Sequence, residues 1–234
     1  MSGFMSGMSE SKPAILCLHG GGTSGMIFNF QTMRIRRELD SVFDFVFIDA
    51  PFPSKPGPGV VPVFEDCGPF FTWMRPGQTD GILAEETRTL LKKTMNKQVA
   101  RTGRPFVGVL GFSQGTKVAS GLLLQQQWDL EAKDPKRKPT NFHFGVSLMG
   151  APPPYTATPK PAAAYSEMIT IPTVQVVGLR DSIRDWSNVL YTDYFDEDEV
   201  TYMELDAGHH LPDGKHQQDS AKIAKAILDL WYNS

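Results

Sequence analysis

Cysteine is scarce in this 234-residue chain: there are two, Cys17 and Cys67. Two thiols do not build the disulfide frameworks that staple small extracellular domains. The chain therefore reads as one made for a reducing compartment, the cytoplasm. Neither sign of charge dominates. Lys and Arg number 23 against 26 Asp and Glu, a net charge of -3, which is too mild to draw the chain to nucleic acid or an anionic membrane surface. Long apolar runs are missing too. No stretch reaches the roughly 20 residues a membrane-spanning helix needs, and the opening MSGFMSGMSESK lacks the apolar centre of a secretory signal. No internal repeat recurs, and no metal-ligand cluster or cofactor loop stands out, so neither metal nor cofactor is expected.

What the chain does have is alternation. Short apolar runs at 14–18, 43–48, 106–110, 142–149, 173–178 and 200–205 read as strands. Helical stripes separate them. One covers 26–39, with apolar residues at Ile27, Phe30, Met33 and Ile35 and a solvated basic face at Arg34, Arg36 and Arg37. A second starts at an Asp80 N-cap and runs to about 100, stopped by Gly103 and Pro105. The last, at 217–231, carries Ile223, Ala224, Ile227 and Trp231. Strands alternating with helices predict an α/β fold, a mostly parallel sheet with helices on both faces. Residues 13–234 form one expected domain behind a disordered tail at 1–12. The run Lys136-Arg137-Lys138 reads as a solvated loop rather than a docking patch.

The stretch FVGVLGFSQGTKVASG at 106–121 combines a buried strand, a sharp turn and a helix. Its turn, 111–115, matches G-x-S-x-G, the pattern that lifts a nucleophilic serine off the end of a sheet. The helix behind it aims free N–H groups at Ser113, which favours negative charge there. An earlier strand stops at His19-Gly20-Gly21-Gly22, where glycine lets backbone approach a substrate closely. The N–H groups of Gly21 and Gln114 are the expected oxyanion donors. His19 reads as a structural brace.

A serine needs a base, and the base needs an orienting acid. Asp181 follows a predicted strand directly, with Asp185 and Asp206 as rivals. His209 and His210 are adjacent, and Gly-His-His-Leu-Pro favours the first. His19-Gly20-Gly21, Ser113, Asp181 and His209 all sit just past predicted strand ends, the edge where parallel sheets bind ligands. The long segment at 51–76 is rich in Pro and Gly but holds Phe64, Phe70, Phe71, Trp73 and Met74. It reads either as a pocket wall or as an aromatic cluster that packs a loop on the core. Phe70, Trp73, Met74 and Leu211 are the residues expected against substrate. The Pro- and Ala-rich stretch at 150–164 is a second rim loop.

LHGGGTSG, FIDAP, GFSQG, VVGLRD and GHHLP, in that order, resemble the fungal family of serine hydrolases, the FSH type, over essentially the whole chain. The resemblance implies a cytosolic α/β-hydrolase fold with a triad of Ser113, Asp181 and His209. Some members work in polyketide pathways of secondary metabolism. That implies a thioesterase releasing a polyketide acyl chain from an acyl carrier protein, with Arg75 and Arg180 as candidate docking cations. The alternatives are a general short- to medium-chain carboxylesterase acting on small acyl esters, and a non-catalytic ligand-binding protein on the same fold. The triple glycine at Gly20 to Gly22 departs from the family, where a bulkier residue follows His-Gly.

Overall fold

The computed structural model describes residues 11–133, 136, 140–214 and 216–234. Most of the expected tail, and Arg137 and Lys138 of the basic run, lie outside the described residues. In chain order the elements are β1 (Ala14–Leu18), α1 (Gly25–Gln31), α2 (Met33–Arg37), β2 (Asp44–Ile48), β3 (Phe52–Ser54), β4 (Phe70–Thr72), α3 (Glu85–Thr102), β5 (Phe106–Phe112), α4 (Gln114–Ala132), β6 (Phe144–Leu148), β7 (Thr173–Gly178), α5 (Arg184–Tyr194), β8 (Val200–Leu205) and α6 (Gln217–Asn233). Six strands form one sheet in the order β2-β1-β5-β6-β7-β8, and every pairing in it is parallel.

The apolar runs explain this order. β1, β6 and β7 are buried at every residue, which a strand can be only between two layers of helix. Successive side chains go to opposite faces. Leu16 and Leu18 join Leu91 of α3 and Val118 and Leu122 of α4. Ile15 and Cys17 join Phe28, Ile35, Ile223 and Ile227 from α1, α2 and α6. The edge strand β2 is half-buried along its length.

Three local expectations are corrected. The single helix at 26–39 is two short helices broken at Thr32, whose hydroxyl donates to the Phe28 carbonyl at 2.8 Å and so competes with the regular ladder. The helix expected from Asp80 begins at Glu85. Asp80 instead accepts from the Ile82 N–H at 3.2 Å, and Leu83 N–H donates to Thr156 O at 2.8 Å, so this segment is pinned to a neighbouring loop before the helix can start. The segment at 51–76 contains a two-stranded antiparallel hairpin of β3 and β4. Phe71 ties that hairpin to the chain after β1 through its carbonyl, which accepts from Gly22 N–H, and its N–H, which donates to Thr23 O, both at 2.8 Å.

Helix α4 runs close under the loop after β6. A Cβ at Gly121 would stand 1.9 Å from the Tyr155 carbonyl oxygen. Alanine is the better helix former by about 1 kcal/mol, but overpacking costs about 1–3 kcal/mol and here meets backbone rather than a yielding side chain. Gly121→Ala should therefore lower stability by about 2 kcal/mol, read as a fall in the urea midpoint. A raised midpoint would mean that propensity outweighs the contact.

Candidate active site

The turn between β5 and α4 sets Ser113 apart from its surroundings. Its backbone has φ 51 and ψ -118, a conformation that non-glycine residues rarely hold without support. The support is local. Ser113 N–H donates to Leu148 O at 3.0 Å, and the Thr116 hydroxyl donates back to Ser113 O at 2.6 Å. Two residues on, a Cβ at Gly115 would lie 2.1 Å from Leu18 O. Only glycine lets α4 start this close to the end of β1.

Three loops then meet. His209, four residues past β8, places Nε2 2.8 Å from Ser113 Oγ. Its Nδ1 lies 2.7 Å from Asp181 Oδ2. This pairing assigns the tautomer: Nδ1–H donates to the carboxylate, and Nε2 accepts the serine proton. The Asp181 side chain is wholly buried, whereas that of His209 is 24% exposed, leaving the imidazole open to a reactant. Asp181 Oδ1 also accepts from Ile183 N–H at 2.9 Å. The two loops are laced together by Arg180 N–H donating to Ala207 O at 2.9 Å. The Phe112 ring packs on the imidazole with centroids 5.1 Å apart.

The rivals are placed elsewhere. Asp206 pairs with Arg180 at 3.0 Å, and Asp185 sits in the first turn of α5. His210 is exposed, with Nδ1 3.0 Å from the Leu211 carbonyl.

Gly21 and Gln114 lie against each other, since a Cβ at Gly21 would come within 3.2 Å of the Gln114 amide. Gln114 Oε1 accepts from Trp73 N–H and the Thr72 hydroxyl, each at 2.9 Å, clamping the end of β4 across the turn. The Gly22 N–H is taken by Phe71 O, while among the described residues Gly21 N–H has no backbone partner. His19 is a fully buried brace. Its Nε2 accepts from Ala50 N–H at 2.9 Å and its Nδ1 lies 2.7 Å from Gly20 O. Burial lowers its pKa from 6.5 to about 4.

A cleft of about 540 Å³ opens beside Gln114, walled by Met74, Lys117, Pro152, Pro153, Tyr155 and Trp186 among others. Both expected rim loops contribute. Of the side chains expected against substrate, Met74 lines it. Trp73 does not. It is fully buried, its indole N–H donates to His19 O at 2.7 Å, and its ring lies 5.1 Å from the His19 ring. Its aromatic bulk holds the loop after β1 from beneath, so the cluster-packing reading applies to it. Leu211 is packed into the core and Phe70 sits on the hairpin, and neither lines this cleft. Lys117 and Trp186 were missed. For Lys117 a signal existed: it stands three residues past Gln114, on the same helical face.

Comparison with known proteins decides the family. Residues 6–221 match the family described as Serine hydrolase (FSH1). The chain belongs to that family. It is 34% identical over 223 residues to Esterase FUS5 of Gibberella moniliformis, covering 94% of this chain and 85% of that protein. It is 30% identical over 241 residues to Thioesterase FSL2 of Gibberella zeae, covering 94% and 92%. The crystal structure of esterase PE8 superposes with a TM-score of 0.58 at 17% identity, covering 92% of this chain and 93% of that one. The fold is the α/β-hydrolase fold and the chain is a serine hydrolase of the esterase and thioesterase kind. The non-catalytic alternative falls away. No helix among the described residues is long and apolar enough to cross a membrane.

The buried brace has a pH signature. Unfolded, His19 binds a proton near 6.5; folded, it stays neutral down to about 4. Its contribution to stability is therefore complete above pH 6.5 and is lost as pH falls towards 4, on the order of 3 kcal/mol in all. Urea midpoints measured across that window should fall less steeply for His19→Asn than for the parent chain. Equal slopes would show that His19 takes up its proton in the folded state as easily as in the unfolded one.

Proposed function

We propose that this serine hydrolase cleaves acyl thioesters and esters through a covalent acyl-enzyme, with Ser113 as nucleophile, His209 as base and Asp181 as its orienting acid. The observation that carries the reading is the hydrogen-bonded line Ser113–His209–Asp181, with links of 2.8 and 2.7 Å, whose serine is followed directly by Gln114 on the wall of a cleft. Ser113 Oγ attacks the acyl carbon while its proton passes to His209 Nε2. The Asp181 carboxylate stabilises the imidazolium that forms. The N–H groups of Gly21 and Gln114 receive the oxyanion, each contributing about 3 kcal/mol to lowering the barrier. His209 then protonates the leaving thiol or alcohol. Water, deprotonated by the same imidazole, attacks the acyl-serine and frees a carboxylic acid.

Within this class we favour release of a polyketide acyl chain from an acyl carrier protein, in the cytoplasm, by one domain spanning 13–234. The likeness to a protein named a thioesterase supports the thiol leaving group. Both cysteines are free, in keeping with a reducing compartment. The likeness to a protein named an esterase supports the runner-up, a general carboxylesterase.

Ser113→Ala should lower kcat by about 10⁴-fold or more with the urea midpoint kept, and should abolish labelling by a fluorophosphonate. Asp181→Asn should lose a comparable factor, because the amide favours the wrong tautomer of His209. Retained turnover in Ser113→Ala would end the proposal. A second measurement compares kcat/KM for one acyl chain offered as thioester and as oxygen ester. A thioester preference well beyond the ratio of uncatalysed rates is expected. A ratio equal to the uncatalysed one would assign the enzyme to general esterases.

A further inference from the structure

The cations around the site differ in one respect: whether an acid already holds them. Arg75, on the cleft wall, pairs with Glu86 at 2.5 Å and lies 5.8 Å from the Phe52 ring centroid. Arg180, just past β7, pairs with Asp206 at 3.0 Å. Both docking cations expected from the sequence are thus compensated. Lys117 is not. It projects from α4 into the cleft, one turn beyond Ser113, and among the described residues no carboxylate pairs with it. Its ammonium donates to the Pro152 carbonyl and stands 5.7 Å from the Tyr155 ring centroid.

A half-buried lysine whose contacts among the described residues are a carbonyl and a ring, with no carboxylate, is costly. Burial alone draws its pKa down from 10.5 to about 8. The other titratable groups on the cleft wall do not relieve it. Arg75 is of like charge, and burial pushes the Tyr155 phenol above its ordinary value while its hydroxyl donates to Gln78 O at 2.8 Å. The remaining wall carries no charge: Thr72, Gln78, Thr79 and Gln114 stand beside Met74, the prolines and Trp186. A cleft built for a plain hydrocarbon chain has no use for such a group, and a methionine at 117 would fill the same space. A bound anion would supply the missing partner.

We propose that Lys117, one helical turn past Ser113, is a specificity residue that receives an anionic oxygen group of the substrate. The inference rests on the proposed role of Ser113, since it takes the cleft beside Gln114 as the place where the substrate lies. The anion can come from a carboxylate on the acyl chain or from the phosphate of a pantetheine arm on the leaving side. The chemistry at the ammonium is the same: a charge-assisted hydrogen bond that replaces the one to Pro152.

The test uses two matched pairs of substrates. The first pair is the p-nitrophenyl monoester of glutaric acid and p-nitrophenyl pentanoate. The second pair is pentanoyl pantetheine and pentanoyl 4′-phosphopantetheine. For each pair the quantity read is the ratio of kcat/KM, anionic over neutral, in the parent chain, Lys117→Met, Lys117→Gln and Lys117→Arg. In one pair the ratio should fall about tenfold or more in Lys117→Met and Lys117→Gln, through KM, as the loss of a hydrogen bond to a charged group predicts. Lys117→Arg should keep most of it. The pair that responds identifies the source of the anion. Ratios that are equal in the parent chain and in both neutral variants, for both pairs, would overturn the inference. Because each ratio is taken within one preparation, a poorly folded variant cannot imitate the effect, and two neutral variants guard against the loss of one. Failure of the underlying site looks different: Ser113→Ala would still turn over the neutral pentanoate.

Discussion

The serine turn is the point on which the rest of the molecule depends. A residue at φ 51 costs on the order of 1–3 kcal/mol against its relaxed conformation and survives only where the surroundings over-determine it. Here they do so from three sides. Leu148 at the end of β6 takes the Ser113 N–H, Thr116 returns a bond to its carbonyl, and α4 is pressed at Gly115 against the end of β1. The parallel order of β1, β5 and β6 makes these contacts possible, because it brings three strand ends to one edge with the serine strand in the middle. Relaxing the turn would give up the contact with β1, the bond to Leu148 and the line to His209 together.

A second layer holds the loop that carries the proposed oxyanion donors. The glycines after β1 have no side chains of their own to fix them, so their positions are borrowed. Trp73 supports them through His19 O, His19 reaches across to Ala50, and Gln114 ties the end of β4 to the serine turn. Every member of this network is a neutral donor or acceptor with a named partner. Buried polar groups stabilise a single geometry only when all are satisfied. Donors held in this way need no reorganisation when charge develops on a substrate oxygen, which is what electrostatic preorganisation requires.

The cleft follows a different logic. Its floor is the rigid face of α4, while its walls are loops: the segment after β4 and the proline stretch after β6. The second wall is fastened to the floor twice through Lys117, whose carbonyl accepts from Tyr155 N–H at 2.8 Å and whose ammonium reaches Pro152. The proposed nucleophile and the proposed anion contact thus stand one turn apart, one just before α4 and the other in its first turn. A change in the loops can alter what enters without disturbing the atoms that react.

Much of this was legible in the sequence, and the reason is periodicity. A strand buried on both faces must be mostly apolar, so β1, β5, β6 and β7 are written as apolar runs broken only by glycines and by Ser147, Thr173 and Gln175, and the parallel α/β architecture follows from their alternation with helices. The spacing of G-x-S-x-G is imposed by contacts within five residues, so it too is local, and Asp181 and His209 could be marked as residues just past strand ends. What only the tertiary structure decided was the outcome of contacts between distant segments. Asp181 rather than Asp185 or Asp206 reaches His209 because the loops after β7 and β8 are laced by backbone bonds that no single loop encodes. Helix α3 starts at Glu85, not Asp80, because a loop more than 70 residues away takes the Leu83 N–H and donates its own Thr156 N–H to the Gly81 carbonyl. Trp73 looked like a pocket wall, since an aromatic in a loop is equally suited to line a cavity or to plug one. Only the position of the His19 carbonyl made it a plug. In the sequence Lys117 is one polar residue on a helix, and only the proline loop folded over it leaves its charge in a cleft with no carboxylate paired to it among the described residues.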